Sequence, residues 1–306
     1  MKEPSHIRIR RIWRQVHLWI ALTVGFVLAL LGLSGSVLVL RAPLLQWEVG
    51  AAAVRLQNPS LIGTPFASQE AWKQSAQTAY PQLVRVMGTA APRGGFLVSD
   101  NAMVFGPVQG RKGIGIAMVD PYTADPRAFF VFDDLWLAKA VALHRSLLLP
   151  PSVGAPLLAA CGVALLISVC TGAWLWWPRG WQWSRWRAAL TLHRRSRGLR
   201  FWMELHNVAA AYLFVPLLLL TLTGVWLARP GWFTWLDAVG LGRSFKPTAS
   251  ALHAELMLGV SGQVIAVVAG LVLPVLYVSG LVMWWRKRAA RLASIPSPPS
   301  HPCPKV

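Results

Sequence analysis

Hydrophobic positions along this chain gather into four long blocks: Leu18 to Leu40, Ala155 to Trp177, Val208 to Ala228 and Val264 to Trp285. Crossing roughly 30 Å of hydrocarbon takes about 20 helical residues, so each block predicts a transmembrane helix. Between the first two blocks, from about Ala42 to Val141, the pattern becomes short-ranged. "SQEAWKQSAQTAY" places Ala71, Trp72, Ala76 and Ala79 on one stripe behind Ser68 as N-cap, which predicts a helix. "LVRVM", "GFLVS", "AMVFG" and "GIGIAMVD" read as short strands separated by Gly, Pro, Asn and Asp turns. The expectation is an α-helical membrane protein of four spans with a small α+β domain inserted between helices 1 and 2. The Pro/Ser-rich tail from Ser294 carries no periodic pattern and reads as disordered.

The blocks repeat. "HLWIALTVGFVLALLGLSGSVLVLRAP" lies over "HNVAAAYLFVPLLLLTLTGVWLARP", with His17 and His206 each 18 positions ahead of a glycine, Gly35 and Gly224. Likewise "LHRSLLLPPSVG" to "WLWWPR" lies over "LHAELMLGVSG" to "VMWWRKR", His144 preceding Gly172 by 28 positions and His253 preceding Gly280 by 27. Repeats change what counts as coincidence in later motifs. They predict two duplicated helical hairpins of the same sense. The segments that follow are 1–41 for the N-terminus and first helix, 42–141 for the inserted domain, 142–178 for the second helix and 179–200 for a basic loop. They continue with 201–229 for the third helix, 230–252 for a short loop, 253–288 for the fourth helix and 289–306 for the tail.

Composition agrees with a membrane protein: 55% of the 306 residues are hydrophobic, 13% are charged, and 17 are Trp. The formal charge of +19 raises the question of nucleic acid, and its placement answers it. Five Lys or Arg precede the first block, seven lie between Arg179 and Arg200, and five follow the last, whereas Arg41 to Leu143 holds nine basic against seven acidic residues. That is the positive-inside pattern, which puts both termini and the 179–200 loop in the cytoplasm and excludes a nucleic-acid role. Trp176, Trp177, Trp284 and Trp285 fit an interfacial belt against lipid, with Arg reaching past it to water.

Every block is led by a histidine. By composition a given five-residue window holds one only about one time in nine, so four matched occurrences ask for a reason. Topology sorts them by height: His17 and His206 at the inner edge, His144 and His253 at the outer. Zinc draws three or four ligands and often two from one helix, but no H-x-x-x-H or H-E-x-x-H occurs, and no Cys or acidic residue repeats with the histidines. Haem iron needs one imidazole from each side, which two helices of a bundle supply. No C-x-x-C-H is present, so attachment is non-covalent. The expected cofactors are two b-type haems with bis-histidine ligation, His17 with His206 and His144 with His253 as axial iron ligands. The competing account is that all four are interfacial side chains multiplied by the duplication.

The glycines carry two readings. A helix rises about 1.5 Å per residue, which sets Gly35 and Gly224 roughly 27 Å beyond their own histidines, at the outer level, and leaves Gly172 and Gly280 at the inner level. They either clear space for a haem ring or serve helix packing. Arg41, Arg145 and Arg229 stand where haem propionates or plain helix anchors are expected, and His193 is the first substitute ligand should His206 fail. No nucleotide or flavin motif occurs, since "GIGIAMVD" lacks the G-x-G-x-x-G spacing and a following helix.

These residues resemble a known family, the PepSY-associated transmembrane proteins, an iron-regulated inner-membrane group that includes bacterial siderophore reductases. The resemblance rests on "H-x-W" at His17 and Trp19, "LHR" from Leu143, "ELHN" around His206, "LHAE" around His253, and the "WWPR" and "WWRKR" ends. It extends to "VDPYTAD" from Val119, similar to the Val-Asp-Pro-x-Thr-Gly turn of PepSY-type domains, with Ala124 in place of the glycine. It covers nearly the whole chain. It implies a multi-pass protein of the bacterial inner membrane with a PepSY-like periplasmic domain. It further implies an oxidoreductase that passes electrons from a separate donor, a quinol or a cytoplasmic reductase, to a ferric siderophore. Two other functions fit the same pattern: a non-enzymatic PepSY-type sensor or assembly factor, and an iron or haem transporter, although the spans hold few of the polar residues a transport path requires.

Overall fold

The structure is a computed structural model that describes residues 5–239 and 245–293. The tail from Ser294, expected to be disordered, lies outside the described residues. The chain divides into two compact units, one formed by Met1–Leu33 and Ala155–Val306, the other by Ser34–Gly154.

In the helical unit, α1 (Ser5–Thr23) and α2 (Gly25–Val39) meet at a bend of 65°, and α9 (Gly198–Tyr212) and α10 (Phe214–Ala228) at one of 64°. The straight first and third spans expected from the sequence are therefore each broken. At the second break Pro216 supplies no N–H to the Tyr212 carbonyl and its ring crowds that oxygen. At the first, the Thr23 hydroxyl donates back to the Trp19 carbonyl at 2.7 Å, a bond that bends helices. Next to it Gly25 lies so close to Tyr277 that a Cβ would stand 2.7 Å from the ring. The bends fall seven positions after His17 and after His206. With α7 (Pro151–Trp176) and α12 (Gly259–Ala293), both long and apolar enough to cross a membrane unbroken, the protein has two candidate spans, or up to four when each bent pair counts as one. Helix α12 runs through 289–293, which the sequence pattern assigns to the tail.

Each unbroken helix is led by a shorter one. Helix α6 (Trp136–Ser146) ends at Leu147 and Leu148, with φ of 56° and 61°, before α7 begins. Helix α11 (Lys246–Glu255) ends at Leu256 and Met257, with φ of 50° and 57°, before α12. Left-handed backbone is uncommon for residues other than glycine, and its use at the same place twice marks a shared local design. In both cases a glycine in the first turn of the following helix, Gly154 or Gly262, packs on the last carbonyl of the leading helix, Ser146 or Glu255, too closely to admit a Cβ.

The Ser34–Gly154 unit is built on an antiparallel sheet in the order β1 (Gly88–Ala90), β2 (Ala102–Pro107), β3 (Ile114–Val119), β4 (Pro126–Val131). Alternation along β2 and β3 sends Met103, Ile116 and Met118 to one face and Ala102, Val104, Ala117 and Val119 to the other. The first face is covered by Leu45 of α3 (Arg41–Val49), by Ala53 and Val54 of α4 (Ala51–Val54), and by Leu137 and Ala138 of α6. The second is covered by Trp72 and Ala76 of α5 (Gln69–Ala79), whose N-cap is Ser68 as expected, its side chain accepting from the Ala71 N–H. Because both faces are buried, the central strands read as near-continuous apolar runs. Helix α6, which carries His144, is fixed at its start to α3, where the Glu48 carboxylate accepts from the N–H groups of Trp136 and Leu137 at 2.6 and 2.9 Å.

The turn from Val119 is organised by Asp120, which is fully buried. Its carboxylate accepts from the N–H groups of Tyr122 and Thr123 and pairs with the Arg127 guanidinium. Its backbone carbonyl accepts from Ala124, which takes a φ of 62° where the resemblance leads one to expect glycine. Burial alone would raise the Asp120 carboxyl, but the bonds from Tyr122, Arg127 and Thr123 outweigh it and hold the group below its ordinary 3.8. A depressed folded-state value means the stabilisation is present above that ordinary value and is lost as pH falls below it. Asp120→Ala leaves Arg127, whose side chain is 15% exposed, without this carboxylate partner, with an expected loss of about 3 kcal/mol from this unit. Amide hydrogen exchange of residues 114–131 in the detergent-solubilised chain measures it, and unchanged protection would refute the assignment.

Candidate functional site

The structure brings His17 of α1 and His206 of α9 together, with ring centres 6.4 Å apart and planes at 82°. Direct aromatic contact spans about 4.5–7 Å, and this pair stands toward its far end. A metal held in line between two imidazole nitrogens at about 2.0–2.1 Å each sets the ring centres about 6.2–6.4 Å apart, and the observed spacing fits that arrangement.

Both rings are oriented by hydroxyls on neighbouring helices. His17 Nδ1 lies 3.1 Å from Thr171 Oγ1, 3.1 Å from the Ser168 carbonyl and 3.3 Å from Ser168 Oγ, all on α7. His206 Nδ1 lies 2.8 Å from Ser279 Oγ on α12. Among the described residues the hydrogen bonds of these two rings run through Nδ1 and leave Nε2 outside them. Among the described residues no three His, Cys, Asp or Glu side chains gather as a metal-binding group, so the pair stands without a third such donor.

His144 and His253 belong to different units, and each has the same local setting. His144 Nδ1 lies 3.2 Å from Ser34 Oγ of α2, and His253 Nδ1 lies 3.0 Å from Thr223 Oγ1 of α10. The hydroxyl residue at all four places directly precedes a repeat glycine: Ser34-Gly35, Thr171-Gly172, Thr223-Gly224 and Ser279-Gly280. Those glycines adjoin imidazole. A Cβ at Gly35, Gly224, Gly172 or Gly280 would stand 2.9, 3.0, 3.3 or 3.7 Å from Cε1 of His144, His253, His17 or His206 respectively. The histidine ring stands against each of these glycines, a role that neither reading of the glycines had named. Sequence reasoning missed the hydroxyls, although a Ser or Thr ahead of each glycine was the available signal.

The other expected residues are committed elsewhere. His193 pairs with Glu204 at 3.2 Å, a carboxylate that also accepts from Ser196 Oγ and Arg200. Arg41 donates to the Phe96 carbonyl at 3.1 Å and lies over its ring, Arg229 lies over Trp232, and Arg145 is exposed. At the far end of α7, Trp176 and Trp177 pack edge-on against Trp186 of α8 (Trp183–Ala189), while Trp181 and Trp183 are largely exposed.

Fold and sequence together define a largely helical membrane protein with a small sheet domain. The family model described as the PepSY-associated TM region matches residues 14–249, and the chain belongs to that family. Comparison with curated proteins returns no match.

Proposed function

We propose that this protein is a dihaem b-type electron carrier of the bacterial inner membrane, moving electrons from the cytoplasmic side to a ferric siderophore in the periplasm. The observation that carries the reading is the His17–His206 pair, spaced for one metal and held by Nδ1 alone. His17 and His206 would hold the inner haem. His144 and His253, assigned to one another by the sequence repeat, would hold the outer. Such a haem supplies one-electron exchange between Fe(II) and Fe(III).

The four spans form two hairpins in this reading, with both termini and the 179–200 loop cytoplasmic, supported by the placement of Lys and Arg. The Ser34–Gly154 unit is then the periplasmic PepSY-like domain. The ring of His144 is fixed through α6 to the sheet of that domain, so the outer ligand and the substrate side share one rigid part. Siderophore oxygens are hard ligands that hold Fe(III) far better than Fe(II), and reduction therefore releases the metal. The donor is a separate molecule, a quinol or a cytoplasmic reductase.

The test uses purified full-length protein. Two haems per chain by pyridine haemochrome assay are expected, with a Soret band and an α band that sharpens on dithionite. Reoxidation of the reduced protein by ferric hydroxamate or catecholate complexes is expected within seconds and much faster than by the iron-free ligands. Protein lacking both bands would sink the haem assignment, and indifference to every ferric complex would sink the substrate assignment while leaving electron transfer standing.

A further inference from the structure

We propose that the hydroxyls of Thr171, Thr223 and Ser279 are positioning groups, each fixing one histidine in its Nδ1–H tautomer so that Nε2 presents its lone pair to iron. The inference rests on the haem reading above and adds the device that prepares these ligands.

A hydroxyl has one proton and two lone pairs. Thr171 donates its proton to the Ile167 carbonyl at 2.7 Å, Thr223 to the Leu219 carbonyl at 2.7 Å, and Ser279 to the Leu276 carbonyl at 3.1 Å. With the proton committed to its own helix, the hydroxyl turns only lone pairs toward the ring, and the ring nitrogen facing it must donate. His17 gives an independent check, because the Ser168 carbonyl 3.1 Å from the same Nδ1 has no proton to give. Nδ1 is thus protonated, and Nε2 is left as the base. The adjoining glycine is the second half of the seat, since it lets the ring lie against the helix that carries the hydroxyl.

Donation from Nδ1–H also makes Nε2 a stronger ligand, as outer-shell partners of metal-bound histidines do. That favours the ferric state and lowers the potential. The two inner seats are alike. If the hydroxyl is removed, His17 keeps the Ser168 carbonyl and His206 keeps the Leu276 carbonyl. Ser279→Ala and Thr171→Val should therefore perturb the inner haem in the same direction.

Haem content, midpoint potentials and low-spin EPR spectra of the full chain, together with Ser279→Ala, Ser279→Thr, Thr171→Val and Thr171→Ser, test this. Ser279→Ala is expected to raise the ferrous-to-ferric ratio of one haem about tenfold at fixed potential, about 59 mV for one electron, with the other haem unmoved as an internal sign of correct folding. Ser279→Thr and Thr171→Ser should behave as wild type, and Thr171→Val should shift the same haem in the same direction as Ser279→Ala. A haem-replete Ser279→Ala protein at the wild-type potential overturns the hydroxyl's role alone. Wild-type protein without haem overturns the ligand reading itself and this inference with it.

Discussion

Full-length protein carrying His17→Ala is expected to hold one haem where the wild type holds two. His206→Ala should do the same, and the double variant should look like either single one. The reason is that the two imidazoles, with ring centres 6.4 Å apart, would serve one iron in the proposed reading. Losing either would leave the other without its partner, at a place where no third donor gathers among the described residues. Two changes at one site do not add, whereas changes at independent sites do. His17→Ala combined with His253→Ala should accordingly empty both positions. The measurement is haem per chain after detergent extraction, referenced to protein by quantitative amino-acid analysis. A His17/His206 double variant devoid of haem would show that the two histidines serve different irons and would break the pairing.

What the sequence discloses about this molecule depends on how local the cause is. The long apolar blocks, the Ser68-capped helix α5 and the strands β2 and β3 are written in neighbouring residues, and the periodicities found them. The strand β4 was not expected. "PRAFFV" opens with proline at an edge, where the missing N–H costs no ladder bond, and its half-buried face blurs the alternation. "LVRVM" and "GFLVS" have the composition of strands but form no regular ladder. Leu83 bridges Val108 and the Val84 and Met87 N–H groups donate to the Pro107 and Phe105 carbonyls of β2, while Ser99 and Asp100 turn to the Val54 carbonyl at the end of α4. The left-handed pairs Leu147-Leu148 and Leu256-Met257 carry no glycine to announce them and arise from packing between the leading helices and those that follow. The bend after His206 was readable in Pro216; the bend after His17 has no proline and comes from Thr23 with the close contact of Gly25 and Tyr277.

The histidines themselves were legible because the duplication set them at matching positions. Their hydroxyl seats were not, because Ser-Gly and Thr-Gly pairs are common in membrane helices, where they let backbones approach. Here both explanations operate at different glycines. Gly25, Gly32 and Gly162 abut Tyr277, the Gly270 carbonyl with Leu273, and Val225, which is helix packing. The four glycines that follow the hydroxyls abut imidazole instead. Only coordinates separate the two groups, because the distinction lies in what stands on the neighbouring helix.

That distinction yields a graded expectation for single methyl groups. An added Cβ at Gly280 would stand 3.7 Å from the His206 ring, an ordinary contact. Alanine also favours helix over glycine by about 0.8–1.0 kcal/mol, so Gly280→Ala should keep both haems and melt at or slightly above the wild-type temperature. At Gly172 the distance to the His17 ring is 3.3 Å, and a shift of a few tenths of an ångström is required, giving partial loss of the inner haem. At Gly35 and Gly224 the distances to His144 and His253 fall to 2.9 and 3.0 Å. The ring must retreat there, which stretches its bond to Ser34 or Thr223 and turns Nε2 off axis. Disturbing such partners typically costs about 10–100-fold in metal affinity, so Gly35→Ala and Gly224→Ala should lose the outer haem while retaining the inner one. Haem stoichiometry and thermal melts across the four variants read out the gradient. An order reversed from the distances, with Gly280→Ala the most damaging, would mean that these glycines serve something other than the histidine rings beside them.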